Sequence, residues 1–213
     1  MSRIEDIRRA YQDGSLEAND LSSNPVEQFY QWWNDAVTSE IVEPNAMTLA
    51  TSDRNGQPSA RVVLLKGVNM EGFEFYTNYK SQKARDIEDN PKVALVFLWK
   101  ELERQVRIEG VAIKVPREKS ESYFQSRPRG SQIGAMASPQ SEIIPDRKIL
   151  DDKVVALQKE FENTDPIPYP EYWGGYIVIP HMIEFWQGRP DRLHDRFRFS
   201  KNESGWTIER LAP

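Results

Sequence analysis

The chain has 213 residues, of which 38% are hydrophobic and 29% charged, and its formal net charge is −5. Such a length suits one folded domain with a core of its own, and the acidic balance argues against general nucleic-acid binding, which depends on neutralising phosphates. Cysteine is absent and only His181 and His194 are histidines, so disulfides, thiolate zinc sites, cysteine nucleophiles and histidine-rich metal sites are excluded and no metal is expected.

The opening, "MSRIEDIRRAYQDGSL", is charged and lacks an apolar signal-like core. No apolar run approaches the ~20 residues that span a bilayer, so no membrane contact and a cytoplasmic setting are expected. Ile4, Ile7 and Tyr11 make a thin helical stripe, and residues 1–20 read as a flexible arm ahead of a single domain over 21–213. A stronger helix starts at Asn24, a capping residue followed by Pro25 and by Glu27 at the third position. Its expected inward stripe is Val26, Phe29, Tyr30, Trp33, Val37 and Ile41.

Strands follow. "AMTLATS" and "SARVVLLK" flank Asn55-Gly56, a hairpin signal. "GFEFYTN" and "VALVFLW" are separated by a short helix in "YKSQKARDIEDNP", and "RQVRIEGVAIKV" is the longest alternating run. A helix from Pro116 to Phe124 leads into "YFQSRPRGSQIGAMASPQS", read as a long loop. The next helix turns Ile149, Leu150, Val154, Leu157 and Phe161 inward. "GYIVIP", "IEFWQG" and "RFRFS" read as three strands, with "WTIERLAP" pairing last. Regular βαβ alternation is missing, and so are a Gly-x-Gly-x-x-Gly turn and a P-loop. The expected fold is therefore mainly β with flanking helices, an antiparallel barrel.

Four clusters carry chemistry. Arg61 and Lys66 bracket an apolar strand, either as its solvated ends or as ligands. Ser81, Gln82 and Lys83 open a helix, whose free amides suit an anion. Tyr123, Arg127, Arg129 and Ser131 surround a proline and a glycine with phosphate-matching donors. In "FWQGRPDRLHDRF", His194 lies between Arg192 and Arg196, which favour neutral imidazole, and between Asp191 and Asp195, which oppose them. A histidine poised near neutrality can orient a substrate or move a proton.

From "QPSARVVLLK", "FYTNYKSQKA", "LERQVRIEG", "YFQSRPRGSQIGA", "FWQG" with "RLHDRF", and the terminal "RLAP", the chain resembles the pyridoxamine (pyridoxine) 5'-phosphate oxidase family over about residues 8–213. The resemblance implies an FMN-binding split barrel that forms a homodimer, with FMN at the subunit interface. It implies oxidation of pyridoxine and pyridoxamine 5'-phosphates to pyridoxal 5'-phosphate, with O2 reduced to H2O2. It further implies that Arg61, Gln82, Lys83, Gln140 and Ser141 hold the FMN phosphate. Val62, Val63, Leu64, Leu65, Lys66, Tyr76 and Thr77 would line the flavin, and Gln105, Trp186 and Arg196 would contact it from loops and the partner. Lys66, Tyr123, Arg127 and Ser131 would bind the substrate phosphate. Arg192, Leu193 and His194 would face the pyridine, with Arg192 and His194 nearest the chemistry and Arg8 and Tyr11 as a lid. Relatives commonly carry arginine where this chain has Gln82, which can donate a hydrogen bond but brings no charge. Rival readings on the same fold are a flavin enzyme for another substrate, and a protein that only stores FMN or pyridoxal phosphate.

Overall fold

The structure, a computed structural model, describes residues 3, 4, 11 and 14–213. Arg8, expected as part of a lid, and most of the N-terminal segment lie outside the described residues. From Gly14 onward the chain is tied down. Leu16 is buried, its amide donates to Asp195 at 3.1 Å, and Glu17 pairs with Arg210 at 2.6 Å.

Helix α1 (Pro25–Thr38) begins where its capping chemistry predicts, with the Asn24 side chain accepting from the Val26 amide at 2.8 Å. Its buried face differs from the expected one: Trp32 and Ala36 are inside, whereas Tyr30 is 39% and Val37 50% exposed. Both choices satisfy helical spacing, and the sheet decides between them. Phe29 packs edge-on against Phe73 and Phe97, and Trp32 against Phe185.

The strands are β1 (Ala46–Ser52), β2 (Pro58–Leu64), β3 (Gly67–Asn69), β4 (Gly72–Asn78), β5 (Lys92–Trp99), β6 (Arg104–Lys114), β7 (Trp173–Gln187), β8 (Asp195–Asn202) and β9 (Gly205–Leu211). All pair antiparallel in the order β2-β1-β5-β6-β7-β4-β3, with β8 on β7 and β9 on β8. Gly56 takes a positive φ of 81° in the β1–β2 turn, as the Asn-Gly signal requires. Alternation in β5 and β6 turns Val93, Leu95, Phe97, Val106 and Ile108 inward, where each large side chain contributes about 1.5–3 kcal/mol by leaving water. The result is an antiparallel split barrel with α1 packed on its core.

The two strands expected at "GYIVIP" and "IEFWQG" are one 15-residue strand, β7. Pro180 stays inside it because its missing N–H is not needed there. One edge of β7 runs along β6, and the other is shared by β4 at residues 173–178 and β8 at 182–187, leaving Pro180 between the two partners.

Helices α2 (Gln82–Asp89), α3 (Arg117–Ser126) and α5 (Lys148–Glu160) match their sequence signals, but the expected loop after α3 folds as α4 (Arg129–Ala137). Ile133 and Ala137 of α4 are buried, the former in a second core with Phe124, Phe161, Ile167 and Trp173. Arg129 is structural, donating to the carbonyls of Thr164 and Phe161. Ile149 of α5 is exposed, contrary to expectation, while Val154 and Leu157 pack on the second core. No helix among the described residues is long and apolar enough to cross a membrane.

Gly175 of β7 is where this second core meets the barrel. A Cβ there would stand 2.7 Å from the Tyr76 ring and 2.8 Å from Val115. Gly175→Ala is expected to lower stability by about 1–3 kcal/mol, measured by denaturant unfolding.

Candidate active site

A cavity of about 740 Å³ opens between β2, β4 and the α3–α4 pair. β2 and the residue pair after it contribute Arg61, Val62, Val63, Leu64 and Lys66; β4 contributes Tyr76 and Thr77; α2, α3 and α4 contribute Lys83, Tyr123 with Arg127, and Ser131. Gln140 joins from the segment after α4, its Oε1 taken by the Thr77 hydroxyl at 3.1 Å and the Asn78 amide at 3.3 Å. Among the described residues the wall thus holds four cations, Arg61, Lys66, Lys83 and Arg127, and no carboxylate.

Those charges are poorly compensated. Lys83 is 8% exposed and its ammonium reaches only hydroxyls, Thr77 at 3.3 Å and Ser81 at 3.5 Å. Burial first, and the Arg61 charge second, push its pKa down, while Asp86 pulls the other way. Arg61 shares Asp86 as its counter-charge at 3.7 Å. Arg127 stacks on the Trp173 ring at 4.7 Å, and its buried Nη1 has no hydrogen-bond partner. An orphaned guanidinium donor and an ammonium held only by hydroxyls, on one cavity wall, suit anions with several acceptor oxygens.

The remaining wall is aromatic. Tyr76, Tyr123 and Trp173 stack with centroids 3.9–6.1 Å apart and interplanar angles of 11–29°. Burial pushes the Tyr76 hydroxyl up to about 12 and raises that of Tyr123, so both remain donors at neutral pH. Trp173 was missed in the sequence because it follows a proline-rich stretch that reads as connection.

Three expected ligands stand aside from this cavity. Leu65 is 7% exposed and faces the core, bordering a different hollow beside α1. Ser141 is exposed at a positive φ of 73° and does not line the wall, whereas Ser138 does. Gln82 is exposed and engaged by Asp86 and Arg85.

A second group gathers elsewhere. Gln105 and Trp186 border a hollow of about 360 Å³ with Tyr11, whose ring meets Trp186 and His194 edge-on. His194 lies 4.5 Å from Trp186, while Arg192 and Leu193 are exposed. Arg196 is oriented by Glu184 at 2.9 Å and the Ala212 carbonyl at 2.9 Å. Burial, and then the Arg192 charge, hold His194 below its ordinary pKa of 6.5. Its Nδ1 accepts the Arg189 amide at 3.1 Å, so the neutral ring carries its proton on Nε2.

Fold and cavity define an antiparallel split barrel with a cation-rich pocket that no carboxylate among the described residues lines. Residues 34–160 match the family described as pyridoxamine 5'-phosphate oxidase, and residues 173–213 match the pyridoxine 5'-phosphate oxidase C-terminal dimerisation region. The chain belongs to the pyridoxamine 5'-phosphate oxidase family. It is 51% identical over 215 residues to the pyridoxine/pyridoxamine 5'-phosphate oxidase of Salinibacter ruber, covering 100% of both chains. It is 54% identical over 210 residues to that of Acaryochloris marina, covering 99% of this chain and 95% of the relative. Among solved structures, PhzG from Burkholderia lata 383, in complex with tetrahydrophenazine-1-carboxylic acid, superposes with a TM-score of 0.87 at 27% identity, over 93% of this chain and 98% of that one. A pyridoxamine 5'-phosphate oxidase-related, FMN-binding protein from Nostoc punctiforme shares the fold, with a TM-score of 0.70 at 18% identity over 91% and 100%.

The His194 environment has a measurable consequence. Its folded pKa lies below the unfolded value, so the neutral ring persists as pH falls through 6.5 and is lost only lower. NMR titration of the His194 ring is expected to give a midpoint below 6.5, and Arg192→Ala is expected to raise it by removing the repelling charge.

Proposed function

We propose that the chain oxidises pyridoxine 5'-phosphate and pyridoxamine 5'-phosphate to pyridoxal 5'-phosphate with FMN, passing the electrons to O2. The alcohol with O2 yields the aldehyde and H2O2; the amine with O2 and water yields the aldehyde, ammonia and H2O2. The carrying observation is a wall with four cations, Arg61, Lys66, Lys83 and Arg127, and no carboxylate among the described residues, because cofactor and substrate each bring a phosphate. When bound, FMN supplies the two-electron chemistry, and the protein supplies binding and orientation.

In this reading Arg61 and Lys83, with Gln140 on the same wall, hold the FMN phosphate, and the β2 backbone with Tyr76 and Thr77 lines the ring. Lys66, Arg127, the Tyr123 hydroxyl and Ser131 take the substrate phosphate, satisfying the orphaned Arg127 Nη1. Arg192 and the Nε2 proton of His194 orient the pyridine so that its C4' carbon meets the flavin. Tyr11 borders that wall, its ring edge-on to Trp186 and His194.

A homodimer with FMN at the interface is part of the proposal. Trp173 and Trp186 lie near opposite ends of β7. At about 3.3 Å per residue that puts them on the order of 40 Å apart along the strand. This separation supports supply of Gln105, Trp186, Arg192, His194 and Arg196 by a second copy, as does the match to a dimerisation region.

Aerobic turnover of the FMN-reconstituted protein with pyridoxine 5'-phosphate tests the reading. H2O2 and aldehyde are expected in equal amounts. Flavin binding without turnover of either phosphorylated vitamer, or preferential turnover of tetrahydrophenazine-1-carboxylic acid, would count against it. Lys83→Ala is expected to weaken FMN binding at least about tenfold, read by flavin fluorescence. Arg127→Ala is expected to raise KM about 10–100-fold while retaining FMN.

A further inference from the structure

Asp86 of α2 is 3% exposed and does not line the cation-rich cavity, yet four side chains converge on it. Gln82 Nε2 donates to its Oδ1 at 2.6 Å, and the hydroxyls of Thr51 and Ser59 donate to its Oδ2 at 2.6 and 2.9 Å. Arg61 stands 3.7 Å from Oδ2. From the other side Arg61 reaches the same two hydroxyls, with Nη1 2.6 Å from Thr51 Oγ1 and Nη2 2.5 Å from Ser59 Oγ. A guanidinium only donates, an ionised carboxylate only accepts, and a hydroxyl has one proton. Each hydroxyl therefore accepts from Arg61. The two oxygens also lie 3.1 Å apart, but a proton given to the anionic Asp86 makes a stronger bond than one given to the other hydroxyl, and two hydroxyl bridges then hold the guanidinium.

Gln82 is equally committed. Its Oε1 accepts from Arg85 at 3.0 Å, which turns its amide nitrogen toward Asp86. Each end of the carboxamide is thus engaged within α2, and Gln82 does not line the cavity wall. An arginine at this position would pair with Asp86 itself and compete with Arg61 for the carboxylate.

We propose that Asp86 is a positioning residue that, without touching any ligand, sets the Arg61 guanidinium through Thr51 and Ser59, and that Gln82 locks Asp86 instead of contacting phosphate; the role rests on Arg61 being the FMN-phosphate ligand proposed above.

Flavin titration of the full-length apoprotein tests this, with FMN as ligand and riboflavin as the phosphate-free control. Arg61→Ala is expected to weaken FMN about 10–100-fold, and Asp86→Asn about tenfold, with riboflavin affinity unchanged in both. In the Arg61→Ala background, Asp86→Asn should cost less than about twofold, because the group it positions is gone. An equal penalty in both backgrounds, or an equal loss of riboflavin, would overturn the positioning role and leave Asp86 as general scaffold. Unchanged FMN binding in Arg61→Ala would instead overturn the phosphate assignment of Arg61, and the positioning role with it. Gln82→Leu, an exposed change that does not depend on Asp86→Asn folding, is expected to weaken FMN about two- to fivefold alone and not at all in the Arg61→Ala background. Persistence of that loss without Arg61 would mark Gln82 as a direct ligand and refute the lock.

Discussion

The continuity of β7 is the constraint on which the rest of the molecule depends. One edge of this strand is occupied by β6 along most of its length, and the other is divided between β4 and β8 with Pro180 at the division. The sheet curls so that β2 and β4, near its two ends, flank one cavity, while β7 runs on past β4 to β8, so the two ends of β7 carry different chemistry. Near Trp173 the strand supports the aromatic stack and Arg127; near Trp186 it supports His194, Gln105 and Arg196. A protein that needs both ends at one ligand meets a distance problem that a second copy solves.

The cavity poses a charge problem of a different kind. Buried cations without partners are costly, and burial already lowers the pKa values of Lys83, Arg61 and Arg127. The second core and the barrel sustain this arrangement through packing: Phe124, Ile133 and Phe161 hold α3–α5 over the sheet independently of the charges. Burial works to raise the Asp86 carboxyl, but hydrogen bonds from Thr51, Gln82 and Ser59 and the charge of Arg61 outweigh it, keeping the group ionised. One counter-charge beside two cations leaves a surplus that a phosphate would neutralise.

Most element positions were legible from local chemistry. The Asn24 cap, the Asn55-Gly56 turn and the period-two runs of β5 and β6 are written in neighbouring residues, and the structure follows them. The errors share a cause. Trp32 and Trp33 satisfy the same helical period, so only the ring of Phe185 decides which is buried. The segment at residues 129–137 looks like a loop because glycine and serine lower its helix propensity, and burial of Ile133 and Ala137 overrides that preference. Pro180 argues for a strand break until the partner strands are known. Asp86 carries no sequence signal, being one of several acids in a charged helix.

By itself the sequence determined the alternation, caps and turns of a mainly β chain, and which cation-bearing motifs it contains. These properties act over a few residues and survive without knowledge of the fold. Only the tertiary structure decided which cations meet, which of them retain a counter-charge, and which expected ligands face elsewhere. The reason is that Arg61 meets Asp86, and shares a cavity wall with Arg127, through sheet order and helix packing, and no spacing along the chain encodes either.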